Sequence, residues 1–178
     1  ARFQIWACGN QLEIRDPEEF FSNKIGTASL HEHNDNKIHL NGIAMTLPYD
    51  FSLGKFMSVI GGKIDNNTLV VPLNDTNYFV GNAPSSQEAL AYIQTNNAGK
   101  IASFASGDTC GNNIAEVQAF VYRYNQANQT YKQTKIADIA SYEPTHATTE
   151  DTSDCIIIEF SEHKDKTTKT CNLGDETL

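Results

Sequence analysis

No stretch of this 178-residue chain approaches the roughly 20 consecutive apolar residues that a membrane-spanning helix needs. The longest candidate, Cys155-Ile156-Ile157-Ile158, is closed at once by Glu159. Insertion into a membrane is therefore not expected. Basic residues are scarce as well, 13 Lys and Arg against 22 Asp and Glu, for a formal net charge of -9. Lys164, Lys166 and Lys169 lie among Glu162, His163 and Asp165, so no basic stripe survives. A field of that sign repels phosphate backbones and anionic lipid, which removes nucleic acid from the expected partners. There is no CxxC pair, no strict repeat and no intact serine-nucleophile string, since Thr109 and Cys110 follow Gly107-Asp108 where Ser and Gly would stand.

Four cysteines are present: Cys8, Cys110, Cys155 and Cys171. An even count without metal-type spacing, on a chain that opens at Ala1 as though processed, reads as two disulfides in a secreted protein. Three pairings are possible. The expected one joins Cys8 to Cys110 and Cys155 to Cys171, the latter closing a loop of about 15 residues whose cross-link contributes roughly 3 kcal/mol on the loop-entropy model. If oxidised, Cys110 is not a thiolate nucleophile that His146 could activate. Sequons at Asn66, Asn74 and Asn128 are compatible with secretion and mark polar, turn-like stretches as acceptors for N-linked glycans.

Short β-type runs punctuated by Asn, Asp and Gly dominate the chain: residues 3–6, 37–40, 56–60, 68–71, 100–104, 117–124 and 155–160. In residues 116–124, Val117, Ala119 and Val121 alternate with Gln118, Phe120, Tyr122 and Tyr124, the period of a strand. Asn41-Gly42, Gly61-Gly62 and Gly107-Asp108 supply turns. Two short helices are expected. One starts at Asp16-Pro17-Glu18-Glu19, and the other follows the capping box Ser85-Ser86-Gln87-Glu88 and runs over residues 89–93. The polar stretch 142–154 reads as a loop, because the strand after it must pair with something earlier. The expectation is one all-β domain over residues 1–178, an antiparallel sandwich or barrel, with a β-trefoil as the alternative.

Three constellations could carry chemistry. His31-Glu32-His33, with His39 six residues on, places two imidazoles on one face of a strand, and residues 26–42 resemble the first metal-binding motif of cupins. Lys37 and Ile38 stand where that motif has its Glu, and no second motif follows. His31 and His33 are thus weak metal candidates that would leave an ion mostly hydrated, and no cofactor is expected. Glu116 and Glu159 interrupt strand-like runs and are the carboxylate pair a small glycoside hydrolase would use. Trp6, Tyr78, Tyr122, Tyr124 and Tyr131 could stack on sugar rings or pack against neighbouring strands.

Residues 20–122, with Ile25-Gly26-Thr27-Ala28-Ser29-Leu30-His31, Thr68-Leu69-Val70-Val71, Gln87-Glu88 and Gly99-Lys100-Ile101, resemble small secreted fungal cell-wall proteins of the phialide-protein and IgE-binding type. The later Thr152-Ser153-Asp154-Cys155 adds to the likeness, which covers about half the chain. Cysteine placement departs from that family around Cys110 and Cys171. The resemblance implies an extracellular, β-rich, non-enzymatic wall protein. The sequence reading is accordingly a non-catalytic extracellular or cell-wall protein that binds carbohydrate or a surface protein. A secreted toxin, effector or inhibitor, and a small secreted hydrolase, are the alternatives.

Overall fold

The computed structural model describes residues 1–17, 23–41, 50–80, 87–125, 127–145 and 153–171. In chain order the strands are β1 (Arg2–Ala7), β2 (Asn10–Gln11), β3 (Ile25–Gly26), β4 (Leu30–Glu32) and β5 (His39–Leu40), followed after helix α1 (Leu53–Val59) by β6 (Lys63–Ile64) and β7 (Thr68–Leu73). Helix α2 (Gln87–Leu90) precedes β8 (Ile93–Asn96), β9 (Gly99–Ala105), β10 (Thr109–Cys110) and β11 (Asn113–Ile114). The chain closes with β12 (Glu116–Asn125), β13 (Thr130–Lys135) and β14 (Cys155–Ser161).

These form a five-stranded sheet in the order β13-β12-β14-β1-β2, a four-stranded sheet β6-β7-β9-β8, a three-stranded sheet β3-β4-β5 and the β10-β11 hairpin. The class is all-β and sandwich-like. Among the described residues the sheets are open, with neither a closed barrel nor the threefold layout of a trefoil. Pairing is antiparallel except between β1 and β14, where Phe3 lies opposite Ile156 and Ile5 opposite Ile158 in parallel register. The strand after the polar stretch thus sits mid-sheet, between β1 and β12.

The two larger sheets meet through aromatic packing. Phe104 of β9 and Phe160 of β14 are both fully buried with ring centroids 4.8 Å apart. Val117, Ala119, Val121, Ile156, Ile158 and Phe160 face this main core. The opposite face of the same strands is covered too, which is why β14 is buried along nearly its whole length. There Cys155, Ile157 and Cys171 form a second cluster with Trp6 and Tyr122 packed against it.

Both expected disulfides form. Cys8, just past β1, bonds Cys110 of the β10-β11 hairpin with Cα atoms 5.3 Å apart. Cys155 bonds Cys171 at a Cα separation of 5.8 Å and holds the C-terminal segment over the second face. No cysteine is free among the described residues, so the Cys110 thiolate is removed from consideration. Two such bonds are compatible with an oxidising, extracellular environment. Among the described residues, no helix is long and apolar enough to cross a membrane.

Three sequence expectations are corrected. Residues 56–60 are not a strand but the end of α1 and its cap. Leu53, Phe56 and Met57 are buried at helical spacing, Ser52 Oγ accepts from the Lys55 amide at the N-terminus, and Phe56 packs edge-on against Phe3 at 5.2 Å. The run 37–40 shortens to β5, with Lys37 in an isolated bridge to Arg2. The second helix stops at Leu90, and Ile93 opens β8 instead. The other expected helix falls largely on residues 18–22, outside the described residues, as do Ser85, Ser86 and His146.

Candidate functional site

Register decides how the two strand carboxylates relate. Gln118 lies opposite Glu159, so Glu116, two residues from Gln118, shares a face of the five-stranded sheet with Glu159. That face is covered by the C-terminal segment. Glu159 is 2% exposed, and Lys164 Nζ donates to its Oε1 at 3.2 Å. Glu116 Oε1 accepts from His163 Nδ1 at 2.7 Å and from Lys135 Nζ at 3.3 Å. Burial alone would push the Glu116 carboxyl up, but the His163 and Lys135 contacts outweigh it and hold the group below its ordinary value. A glycosidase acid needs the opposite shift.

A cavity of about 440 Å³ opens beside Glu116. Its polar lining consists of Asn66, Asn67, Ser106, Glu116, Gln118 and Lys135; neither Glu159 nor an aromatic residue lines it. Several of these groups already have partners. Gln118 is buried and donates to the Glu162 carbonyl at 2.7 Å while its Oε1 accepts from Lys135 Nζ at 3.1 Å. The Ser106 hydroxyl donates to the Asn66 carbonyl at 3.0 Å and accepts from the Val117 amide at 2.9 Å. The cavity is a cross-braced seam with one ion-paired carboxylate at its edge.

The five aromatics separate into two groups. Trp6 Nε1 donates to Gln4 Oε1 at 3.0 Å, with the Lys169 ammonium 4.0 Å from its ring centroid. The Tyr122 hydroxyl donates to the Lys169 carbonyl at 2.9 Å and accepts from Gln133 Nε2. Tyr78 lies under Lys100 and donates to the Asp75 carbonyl. These three anchor their own surroundings. Tyr124 and Tyr131 lie directly opposite each other across β12 and β13, half-buried, with centroids 5.2 Å apart at the end of the hairpin.

The sequon asparagines also differ. Asn66 bridges the chain, Nδ2 donating to the Ala137 carbonyl at 2.6 Å and Oδ1 accepting from the Ile139 amide at 3.0 Å. Asn74 makes a reciprocal pair with Asp16. Asn128 is exposed in the β12-β13 turn, its Oδ1 accepting from the Thr130 hydroxyl at 2.8 Å.

The most concentrated group of chemically active side chains is the imidazole cluster on the three-stranded sheet. Gly26, at φ 112°, lets β3 approach β4: a Cβ there would sit 2.6 Å from the Leu30 carbonyl oxygen. The β4-β5 register then sets His31 opposite His39. His31 and His33 share a face, with Nε2 atoms 3.1 Å apart. Ring centroids are 4.7 Å apart for His31 and His33, 4.8 Å for His33 and His39, and 5.7 Å for His31 and His39. His31 is 1% exposed, and burial, then the neighbouring His33, lowers its pKa. His39 Nε2 bonds the Asp35 carboxylate at 2.9 Å. Glu32 points the other way and accepts the Asp35 and Asn36 amides, holding the loop between the strands. Among the described residues no three His, Cys, Asp or Glu already surround one ion position.

The sequence singled out His31 and His33 with His39 six residues on; the hairpin register sets His39 opposite His31. Its signal is symmetry, because His31 and His39 are equidistant from Asp35 in the Asn34-Asp35-Asn36 turn. Neither a protein-family model, nor a curated protein, nor a solved structure matches the chain.

Proposed function

We propose that the protein is a non-catalytic extracellular or cell-wall-associated binding protein, with carbohydrate as the ligand favoured over a surface protein. The observation that carries this reading is the Tyr124-Tyr131 pair, two half-buried rings on the β12-β13 hairpin, the kind of apolar face on which a pyranose ring stacks. Supporting it are the two disulfides and the resemblance to fungal wall proteins read from the sequence motifs alone. Catalysis by Glu116 and Glu159 is disfavoured because one carboxylate is ion-paired and the other buried beneath Lys164. A glycan array and a pull-down on isolated wall polysaccharide test the proposal, with the Tyr124→Ala/Tyr131→Ala protein as control. Retention that the double variant loses is the expected result. Retention on neither, with a defined protein partner recovered instead, would redirect the reading to a toxin, effector or inhibitor. Cleavage of polysaccharide abolished by Glu116→Gln would restore the hydrolase.

A further inference from the structure

We propose that His31, His33 and His39 form a binding site for one late first-row divalent transition metal, copper(II) or zinc(II), with His31 and His33 as a preset two-nitrogen clamp and His39 as the ligand that closes it.

The clamp follows from hydrogen bonding. His33 Nδ1 lies 2.6 Å from the Asn23 carbonyl oxygen, which can only accept, so Nδ1 carries the proton and Nε2 of the neutral ring presents a lone pair. The Asn41 amide nitrogen lies 3.4 Å from His31 Nε2 and can only donate, so in the Nδ1–H tautomer of His31 that nitrogen accepts as well. Two lone pairs therefore face each other across 3.1 Å. The arrangement is repulsive unless a cation lies between them. With metal–nitrogen bonds of roughly 2.0–2.1 Å, two ligands of one ion stand roughly 2.8–3.4 Å apart at about 90–110°, so the observed gap already has the dimension of a chelate edge.

His31 carries a second mark. Its Nδ1 is buried without a hydrogen-bond partner. Ligation through Nε2 would place the proton on that Nδ1. His39 resembles an oriented ligand too, because Asp35 holds its Nε2–H and leaves Nδ1 as the donor, the carboxylate-histidine arrangement that supports metal-bound imidazoles. Centroid separations of 4.7, 4.8 and 5.7 Å keep the three rings together, and because no three such donors surround one ion position among the described residues, closure of the site requires His39 to turn towards the clamp. Imidazole donors select copper and zinc over calcium and magnesium.

The test uses the full chain, purified without metal-affinity resin, stripped with chelator and titrated calorimetrically with copper(II), zinc(II), magnesium and calcium at neutral pH. One equivalent of copper or zinc, and none of the other two, is expected. His31→Ala empties a buried position and can unfold the sheet, so the decisive variants are the half-buried His33→Ala and His39→Ala, checked for fold by circular dichroism. Each should weaken binding at least tenfold, and Asp35→Asn by about 10–100-fold through loss of His39 orientation. Nitrogen-15 shifts of the rings should move at Nε2 of His31 and His33. Absence of stoichiometric uptake would overturn the proposal and assign the gap to a shared proton; uptake unchanged in His33→Ala and His39→Ala would overturn it by locating the ion elsewhere.

Discussion

Arg123 grips Asp154 in a two-point ion pair, Nε to Oδ1 at 3.0 Å and Nη2 to Oδ2 at 2.9 Å, with Asp154 fully buried. Tyr142 donates to the same Oδ2 at 2.7 Å, and so does the Thr145 amide at 2.9 Å. Four donors thus converge on one carboxylate at the start of β14, where the Arg2 amide also bonds the Asp154 carbonyl. Tyr142 and Thr145 are thereby joined to the residue that leads into the central strand.

A pH dependence follows. Burial by itself would raise the Asp154 carboxyl, but Arg123, Thr145 and Tyr142 together hold it below its ordinary value. A depressed pKa contributes stability that is present above the unfolded value of about 3.9 and is lost as pH falls through the folded value. Asp154→Asn should therefore cost roughly 1.5–3 kcal/mol at pH 7, as expected for hydrogen bonds to a charged group. The gap to the wild type should close at acid pH. Urea denaturation at pH 7 and pH 3 measures it; an equal gap at both pH values would show that shape rather than charge matters.

The sequon residues separate by structural role. Asn66→Ala should cost about 1 kcal/mol by orphaning the Ala137 carbonyl and the Ile139 amide, whereas Asn128→Ala should leave stability within about 0.5 kcal/mol of the wild type. Thermal or urea melts of the two proteins decide it.

Non-reducing peptide mapping should recover Cys8 with Cys110 and Cys155 with Cys171 and no other pair. Opening the Cys155 bridge as the double serine variant should cost about 3 kcal/mol on the loop-entropy model. It should also raise the accessibility of Trp6 to fluorescence quenchers, since the segment carrying Cys171 also places Lys169 over that ring. Unchanged quenching would mean that packing alone retains the segment.

Gly26→Ala should destabilise by roughly 1–3 kcal/mol, because the position combines positive φ with a Cβ directed at the Leu30 carbonyl. The His31 ring signals should shift in a proton spectrum of the variant, because Gly26 pairs with His31. A silent substitution would show that β3 can move away at little cost.

Much of the sheet structure was legible along the chain. The alternation in residues 116–124 and the apolar run at 155–160 marked β12 and β14, because period two is a local property of an extended backbone. The cysteine count was equally informative about oxidation. Residues 56–60 misled: Val59 and Ile60 are β-branched, yet Leu53, Phe56, Met57 and Ile60 recur at helical spacing behind the Ser52 cap, and burial against Phe3 outweighs intrinsic strand preference.

What the sequence determined by itself was composition-level and periodic: an acidic, disulfide-bonded, β-rich chain with two imidazoles on one strand face. Only the tertiary structure decided which residues meet across distance. The parallel pairing of β1 with β14 joins segments some 150 positions apart, and no local pattern encodes a partner that remote. Covering the outer face of β14 likewise turned Glu159 from an available carboxylate into a buried one held by Lys164. The β4-β5 hairpin brought His39 to His31 and His33, because register, not spacing alone, sets which side chains share a face.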